Sequence, residues 1–309
     1  MSSQSDPRVV VHAGQGGAMA RAFEEIPGIR LETPDKDALV RTLAGAPILV
    51  TYLWDDEYLT SGLCWVQSVS AGTEQFPLQR FSEAGVVLTS ASGVHGPQVG
   101  EHAIALLLAM TRGVGPATLQ RPARAWEWPT VVEIGGLTMG IIGLGAIGEA
   151  VAQRAAALGM RVIGTKRDVS EYRGAADEVV PAERMDRVFE EADVVVVTLP
   201  GGEATRGIIG ARQLAALGEG WFINVGRGSV VDEQALVDAL TGGSLRGAGL
   251  DVFETEPLPD RSPLWDLPNV VMTPHIAGSS PRYGERLAGL FRSNLAAYRG
   301  EGEWVNRVV

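Results

Sequence analysis

Cysteine, histidine and lysine are scarce in this chain, and the first two shortages each exclude a class of structural feature. The 309 residues contain one cysteine, Cys64, so an internal disulfide is excluded, and such cysteine usage is typical of a reducing compartment. The four histidines are scattered without the spacing of zinc ligands, so we expect no metal site. Lys36 and Lys166 are the only lysines, and the other cationic side chains are arginines.

Positive charge as a whole is also in short supply. Lysine and arginine total 26 against 37 aspartates and glutamates, which gives a formal net charge of -11. Nucleic acids and anionic membrane surfaces are bound by basic patches, and because the sequence has none, neither is an expected partner. There is no apolar run of membrane-spanning length and no basic-then-apolar signal at the first residues. We therefore expect a cytoplasmic protein.

Hydrophobic residues, by contrast, make up 45% of the chain, and glycine is frequent with 39 residues. Strand-like and helix-like patterns alternate along the whole length, an order typical of parallel sheets covered by helices. Because 309 residues exceed one typical domain, we predict two Rossmann-like, doubly wound parallel-sheet α/β domains. The first is predicted over residues 1–98 plus 282–309, with the second, 99–281, inserted into it.

Local signals place the elements within these domains. Proline is favoured in the first turn of a helix, so we predict a helix from Pro34 to Leu43 with Thr33 as its N-cap. A long apolar helix at 99–111 leads into the second domain, and a helix at 282–298 returns to the first. Strands are predicted at 9–12, 48–52, 65–69 and 86–90, and then at 139–142, 161–164, 194–199, 221–225, 247–252 and 270–273.

The most informative local feature is a strand that turns through three glycines into a helix. Gly143 permits the tight turn, Gly145 lets a pyrophosphate approach the backbone, and Gly148 lets the helix pack against the strand. The first amides of the helix, at Ala146 and Ile147, would then face the phosphates together with the positive end of the helix dipole. This pattern predicts a dinucleotide-binding site, although a glycine turn used only for packing is the alternative.

The residues after the next strand indicate which dinucleotide binds. An NAD site usually has a carboxylate there to accept from the ribose 2′-hydroxyl, but this chain has Thr165, Lys166 and Arg167. A hydroxyl and two cations suit a 2′-phosphate, so the sequence favours NADP(H) over NAD(H). The alternative is a solvated basic turn, with Asp168 close enough to serve the ribose.

Three further segments bring a family resemblance. They are Asn-Val-Gly-Arg-Gly-Ser-Val-Val-Asp at 224–232, Gly-Leu-Asp-Val-Phe-Glu-Thr-Glu-Pro at 249–257 and Thr-Pro-His-Ile-Ala-Gly-Ser at 273–279. In this order, and together with the glycine turn, they resemble the signatures of the D-2-hydroxyacid dehydrogenase family. The resemblance extends from residue 65 to about residue 295. One departure is Gly201-Gly202 after Pro200, where many members carry Leu-Thr.

The resemblance implies a catalytic trio of Arg227, Glu256 and His275. A guanidinium can hold the carboxylate of a 2-oxo acid bidentately, and an imidazole can exchange a proton with the ketone oxygen. A carboxylate beside the imidazole favours its protonated form and orients it; Glu256 matches the family pattern, and Glu254 is the alternative. Asp251 would hold the nicotinamide carboxamide.

The remaining site residues are also implied by the resemblance. The backbone of Ser70, Ala71 and Gly72 would receive the substrate carboxylate, and Leu199 and Pro200 would line the cofactor. Apart from the resemblance, the residues themselves indicate an apolar, aromatic wall on the first-domain loop if it faces the substrate, which would favour aliphatic side chains over glyoxylate or phosphorylated acids: Tyr52, Leu53, Trp54 and Tyr58. The first domain would thus be the substrate domain and the second the dinucleotide-binding domain.

The function predicted from the sequence is an NADP(H)-preferring oxidoreductase that interconverts 2-oxo acids and D-2-hydroxy acids. The alternative is a dinucleotide-sensing binding protein or corepressor of the same fold. A formate dehydrogenase is disfavoured, because its histidine would be expected to pair with glutamine.

The resemblance implies a homodimer joined through the cofactor domains. Glu101 and His102, on the apolar helix, are expected to satisfy buried backbone or interdomain contacts, and His95 is a further candidate contact to substrate or cofactor.

Overall fold

The computed structural model describes residues 6–12, 16–59, 62–170 and 172–309. The chain separates into two compact units, of which the first is Met1–His95 with Ser280–Val309 and the second is Gly96–Ser279. Each unit contains its own parallel sheet packed with helices. The predicted α/β class, with one Rossmann-like unit inserted into another, is confirmed.

The first unit has a five-stranded sheet. Its elements up to the insertion are β1 (Arg8–His12), α1 (Gly16–Glu24), β2 (Arg30–Glu32), α2 (Leu39–Leu43), β3 (Ile48–Thr51), β4 (Trp65–Ser68), α3 (Leu78–Ala84) and β5 (Val87–Thr89). The strands are arranged in the order β2-β1-β3-β4-β5, with every neighbouring pair parallel.

Strand geometry distributes the core of this unit over both faces of the sheet, because successive side chains point to opposite sides. Val9 and Val11 of β1 pack on one face with Phe23 of α1. Val10 packs on the other face with Phe81 of α3. Both faces of the sheet are therefore buried, as expected for parallel strands.

The helix predicted from Pro34 with Thr33 as its cap is wrong in its first half. Residues 33–35 have no regular structure, 36–38 form a turn, and α2 starts only at Leu39. The carboxylate of Asp35 accepts a hydrogen bond from the Ala38 amide at 2.8 Å. This local bond satisfies an amide that a helix would otherwise have used, which is how aspartate competes with helix formation.

The second unit has a seven-stranded parallel sheet. Its strands are β6 (Thr138–Ile142), β7 (Arg161–Lys166), β8 (Glu178–Pro181), β9 (Val194–Val197), β10 (Trp221–Asn224), β11 (Gly247–Leu250) and β12 (Val270–Met272). They are arranged in the order β12-β11-β10-β9-β6-β7-β8. Strands β7 and β8 are added on one side of β6, and strands β9 to β12 are added on the other side.

Helices cover both faces of this sheet. Two of them, α4 and α6, approach each other closely, since a Cβ on Gly100 would lie 3.0 Å from the Ala150 backbone. The helices of the unit are α4 (Gly96–Thr111), α5 (Val114–Leu119), α6 (Ala146–Ala157), α7 (Met185–Glu191), α8 (Ala211–Leu217) and α9 (Glu233–Thr241).

The last helix, α10 (Tyr283–Tyr298), belongs to the first unit. The ring of Phe291 stacks on Trp65 of β4 with 4.7 Å between centroids. The final residues continue along the same unit, where the Val308 amide donates to the Leu88 carbonyl at 2.8 Å. Among the described residues, no helix is both long and apolar enough to cross a membrane.

Candidate active site

The glycine turn lies where the strand order of the second unit reverses. Strands β6 and β9 are neighbours although two strands separate them in sequence, so the carboxyl end of β6 opens at a topological switch point. Gly143 has φ +104°, a conformation that side chains rarely adopt, and a Cβ there would lie 2.9 Å from Leu199. A tight, glycine-dependent turn therefore forms at the edge where such sheets bind ligands.

Helix α6 begins in this turn with free amides. Its N-cap, Gly145, provides no capping side chain, and both Gly145 and Ala146 are exposed. A Cβ on Gly145 would meet no atom within 4 Å, whereas one on Gly148 would lie 2.3 Å from the Gly143 carbonyl oxygen. The first amides, at Ala146 and Ile147, have no intrahelical acceptor. Among the described residues no side chain caps these amides, and a helix start of this kind, with open space at Gly145, is suited to a dinucleotide pyrophosphate.

Thr165 supports this turn. It is 2% exposed, its hydroxyl accepts from the Gly143 amide at 3.0 Å, and its carbonyl accepts from the Leu144 amide at 2.7 Å. The hydroxyl is therefore held inside the protein next to the glycine turn, and a contact of Thr165 with a cofactor stays a prediction.

Lys166 and Arg167 lie at the carboxyl end of β7, beside the glycine turn. The Lys166 ammonium donates to the Leu144 carbonyl at 2.9 Å, and Arg167 is exposed. Asp168, the carboxylate that could serve an NAD ribose, accepts from both the amide and the hydroxyl of Ser170. These bonds, and more weakly the charge of Lys166, lower the pKa of Asp168.

The loop that follows is fastened to helix α6. The Tyr172 phenol donates to the Glu149 carboxylate at 2.6 Å and accepts from the Ala176 amide. The other oxygen of Glu149 accepts from the Ala175 amide at 2.8 Å. Burial, with the carboxylate as a second cause, raises the pKa of Tyr172 to about 12, so this phenol stays a donor.

Arg227 lies on the loop after β10 and is exposed. Asn224 shapes this loop, because its side chain donates to the Arg227 carbonyl and accepts from the Gly226 amide, both at 3.0 Å. One nitrogen of the guanidinium donates to the Gly226 carbonyl at 2.8 Å. Among the residues that the structure describes, no carboxylate pairs with Arg227. Its charge is therefore available to an anion.

Neighbouring loops pack against the Arg227 loop by direct backbone contact. A Cβ on Gly228 would lie 1.9 Å from the carbonyl group of Phe253, and one on Gly226 would lie 2.6 Å from the Leu199 oxygen. Leu199 thus lies between the glycine turn and the Arg227 loop. Pro200, the next residue, is exposed, and its carbonyl accepts from the Thr205 hydroxyl.

Glu256 and His275 form a direct pair. The ring nitrogen Nδ1 of His275 is 2.7 Å from Oε2 of Glu256, and Oε1 of the same carboxylate accepts from the Phe253 amide. The His275 side chain is 48% exposed and the Glu256 side chain 36%. Both line a mostly apolar cavity of about 620 Å³. Glu254 makes no contact with the imidazole in the described chain, and its amide donates to Glu233. The geometry therefore selects Glu256 over Glu254 as the partner.

Asp251 holds the loop that carries His275. Its side chain is 1% exposed, and its oxygens accept from the Thr273 hydroxyl and from the amides of Ile276 and Ala277, at 2.6, 2.9 and 2.9 Å. Its carbonyl accepts from the His275 amide at 2.9 Å. A contact with a nicotinamide carboxamide stays a prediction.

Sequence reasoning did not assign Thr273 or Asn224 a role. The available signal was their position: each is a small polar side chain beside the end of a parallel strand, where it can bond to nearby backbone or to a carboxylate.

In the first unit, the loop after β4 presents two unpaired amides. The Ser70 hydroxyl donates to the Gly72 carbonyl at 2.7 Å, and its own amide donates to Ser68. In the described part of the chain, the N–H groups of Ala71 and Gly72 have no hydrogen-bond partner. The buried Tyr283 phenol donates to the Val69 carbonyl just before them, and burial raises the pKa of Tyr283. The Glu74 carboxylate lies against Gly72, where a Cβ would be 2.4 Å from its oxygen, and reception of a substrate carboxylate by this loop stays a prediction.

The predicted aromatic wall is only partly exposed. Tyr52 and Leu53 are 53% and 55% exposed, whereas Tyr58 is buried. Trp54 is half-buried, packs edge-on against Phe81, and has a buried Nε1 without a partner among the described residues. Tyr58 is therefore excluded from a substrate wall, and a substrate contact by Trp54 stays a prediction.

Comparison with known proteins identifies the family. The model of the D-isomer specific 2-hydroxyacid dehydrogenase NAD binding domain matches residues 104–277. The chain belongs to this family. A glyoxylate reductase of Korarchaeum cryptofilum is 34% identical over 285 residues, covering 87% of this chain and 84% of the relative. The resemblance inferred from the three motifs is confirmed.

A second relative is longer. A D-3-phosphoglycerate dehydrogenase of Mycobacterium tuberculosis is 37% identical over 264 residues, which cover 83% of this chain. The match spans only 50% of the length of that relative.

Solved structures of similar proteins extend over nearly the whole chain. An NADPH-dependent glyoxylate/hydroxypyruvate reductase from Sinorhizobium meliloti, solved with NADP and malonate, is 30% identical with a TM-score of 0.76, covering 99% of this chain and 97% of that one. A protein from Thermus thermophilus is 33% identical with a TM-score of 0.78, covering 98% of this chain and 100% of that one.

Proposed function

We propose that this chain is an NADP(H)-preferring oxidoreductase that interconverts 2-oxo acids and D-2-hydroxy acids. The observation that carries the proposal is the contact of His275 with Glu256. In the same unit, an exposed arginine without a carboxylate partner among the described residues follows β10. An oriented imidazole and a free guanidinium are the two groups that reduction of a 2-oxo acid requires.

Arg227 is assigned to the substrate carboxylate. A planar guanidinium can donate two parallel hydrogen bonds to a carboxylate, and a nearby positive charge also withdraws electron density from the adjacent ketone. The guanidinium makes one bond to its own loop and has further N–H groups to offer. In a chain with net charge -11, a cation without an acidic partner is suited to an anionic ligand.

His275 is assigned to exchange a proton with the ketone oxygen of the substrate. Its Nδ1 faces Glu256, so Nε2 is the nitrogen left to exchange a proton with the substrate. Reduction of a ketone adds one hydride to carbon and one proton to oxygen. Nε2 of the imidazolium donates that proton and leaves a neutral ring, and the reverse transfer serves oxidation. Glu256 bonds to Nδ1 and, anchored by the Phe253 amide, fixes the orientation of the ring.

The second unit has the features that hold a dinucleotide. The pyrophosphate would bind at the amides of Ala146 and Ile147, where Gly145 leaves open space. When bound, the nicotinamide cofactor supplies the hydride. Lys166 and Arg167 would hold a 2′-phosphate, a role supported by their place at the carboxyl end of β7 beside the glycine turn.

The substrate is proposed to be a 2-oxo acid without a phosphate. The relatives are named for glyoxylate, hydroxypyruvate and 3-phosphoglycerate. No extra basic cluster for a substrate phosphate stands out in the sequence, and the exposed Tyr52 and Leu53 favour aliphatic side chains if they face the substrate. A homodimer and a cytoplasmic location are part of the same proposal and rest on the sequence.

Steady-state kinetics with both cofactors tests the proposal. Glyoxylate, hydroxypyruvate, pyruvate and longer aliphatic 2-oxo acids would each be reduced with NADPH and with NADH. We expect turnover with at least one of these acids and a higher kcat/KM with NADPH. Tight NADPH binding without turnover of any of them would instead support the dinucleotide-sensing protein.

A further inference from the structure

His102, expected to satisfy buried backbone or interdomain contacts, has a different partner in the structure. It lies on helix α4, its side chain is 18% exposed, and its Nε2 is 2.8 Å from the hydroxyl oxygen of Thr273. Thr273 follows β12 and lies two residues before His275. His102 therefore reaches the loop that carries the imidazole assigned to proton transfer.

The direction of each hydrogen bond follows from the number of protons. The Thr273 hydroxyl has one proton, and the Asp251 carboxylate, 2.6 Å away, only accepts when ionised. The hydroxyl must donate to Asp251, so it accepts from Nε2 of His102. His102 thus carries a proton on Nε2 and begins a chain of donors that runs from His102 through Thr273 to Asp251.

The end of this chain fixes the backbone around His275. Asp251 accepts from the amides of Ile276 and Ala277 through its carboxylate and from the His275 amide through its carbonyl. His275 itself has φ +52°, the left-handed conformation that a residue with a Cβ rarely adopts. Such a conformation persists only where surrounding bonds enforce it.

We propose that His102 is a positioning residue for His275. Its Nε2–H holds the Thr273 hydroxyl in the one orientation that donates to Asp251, and Asp251 in turn holds the amides that set the left-handed turn. The kinetic part of this proposal rests on the proposed function, whereas the structural part does not. The expected consequence is a loss of kcat larger than any change in substrate KM, because the proton donor is displaced while Arg227 is untouched.

Two replacements of His102 distinguish the effect of losing the hydrogen-bond donor from the effect of losing the space that the imidazole ring fills. In His102→Gln the side-chain amide nitrogen can replace Nε2 as donor, whereas His102→Leu fills space without a donor. A misplacement of about 1 Å at a reacting group can cost about 100-fold in rate, so we expect His102→Leu to lose about 10- to 100-fold in kcat. We expect His102→Gln to retain most of the activity. The matched control is Glu101→Gln, on the same helix, whose carboxylate is 70% exposed and pairs with Arg154 at the surface.

Single replacements of Thr273 test the same hydrogen bonds without changing His102, so they do not depend on the His102 variants folding. Thr273→Ser keeps the hydroxyl and should behave like wild type, whereas Thr273→Val should lose kcat as His102→Leu does. Because both residues act through the same hydrogen bonds, the double variant should lose little more than either single variant. Fully additive losses would overturn the proposed chain.

Deuterium uptake measured by mass spectrometry gives a readout that does not require activity. Peptides covering 273–279 should exchange faster in His102→Leu than in wild type, and peptides covering 221–225 should not change. If wild type reduces no 2-oxo acid, the proposed function fails while this measurement still decides the structural part. Unchanged uptake at 273–279, a His102→Leu kcat equal to that of wild type, or equal kcat losses in the leucine and glutamine variants would each overturn the proposal.

Discussion

Gly228 lies so close to Phe253 that a side chain between them is excluded. A Cβ on Gly228 would be 1.9 Å from both the carbon and the oxygen of the Phe253 carbonyl. Gly228 follows Arg227, and Phe253 provides the amide that anchors Glu256. A single backbone contact therefore joins the loop of Arg227, proposed to bind the substrate carboxylate, to the loop of Glu256, which contacts His275.

Replacing Gly228 should disrupt both loops. Because the methyl group of Gly228→Ala meets backbone rather than a flexible side chain, we expect a loss of about 1–3 kcal/mol in stability together with a large loss of kcat/KM. The control is Gly210→Ala, since a Cβ there would meet no atom within 4 Å. Thermal unfolding and steady-state kinetics measure the two effects, and a Gly228→Ala variant as stable and active as the control would contradict the observed packing.

Removing the imidazole should abolish most turnover without preventing cofactor binding. General acid catalysis contributes about 10²–10⁴-fold, so His275→Ala and His275→Asn should lose kcat by that factor. The proposed pyrophosphate site at Gly145 is built by other residues, so the Kd for NADPH, measured by fluorescence titration, should change little. Retained turnover in either variant would exclude His275 as the proton donor.

The choice between two glutamates is a separate prediction. Glu256 contacts His275 at 2.7 Å, whereas Glu254 makes no contact with the imidazole in the described chain. Glu256→Gln keeps the shape but replaces a charged acceptor with a neutral amide, so the hydrogen bond that orients the imidazole weakens and kcat for reduction should fall about tenfold or more. Glu254→Gln is the matched control and should behave like wild type. The opposite pattern would show that Glu254 is the functional partner.

The guanidinium of Arg227 should be difficult to replace. Arg227→Ala should raise the substrate KM and lower kcat, because carboxylate binding and polarisation of the ketone are both lost. Arg227→Lys should recover little, since an ammonium cannot form the bidentate pair. Arg246→Ala provides the control, because Arg246 pairs with Glu219 and stacks over Trp221. Full activity of the lysine variant would mean that only the charge matters.

Strands with an uninterrupted apolar sequence could be predicted from the sequence, whereas element boundaries set by a hydrogen bond of a single side chain could not. Strand Val194–Val197 can be recognised in the sequence, because a strand that is buried on both faces consists of consecutive apolar residues. The start of α2 was not predictable, because Asp35 bonds to the Ala38 amide and competes with the helix. The short strand Arg30–Glu32 was not predicted, since an edge strand of three residues with one apolar side chain has little pattern.

The same distinction applies to the site. The motifs placed Glu256 and His275 on separate loops, but only the structure shows that their side chains meet. Thr165 was assigned to the cofactor from its place in the sequence, yet its hydroxyl is used by the Gly143 amide inside the protein. Sequence position tells which strand end a residue occupies and not which way its side chain bonds.

The preference for NADPH is the prediction most exposed to refutation. A 2′-phosphate held by Lys166 and Arg167 would accept charge-assisted hydrogen bonds from both side chains. After a discount for solvent exposure, each bond contributes about 1–2 kcal/mol of binding free energy. Each cation should therefore raise the kcat/KM with NADPH roughly tenfold over that with NADH. Lys166→Asp should reverse the preference, because a carboxylate repels the phosphate and accepts from the ribose hydroxyl. Added salt should narrow the wild-type margin. Lys36→Ala, the control at the other lysine, should leave the ratio unchanged. A wild-type kcat/KM with NADH that equals or exceeds that with NADPH would mean that these cations face solvent and that Asp168 can serve the ribose.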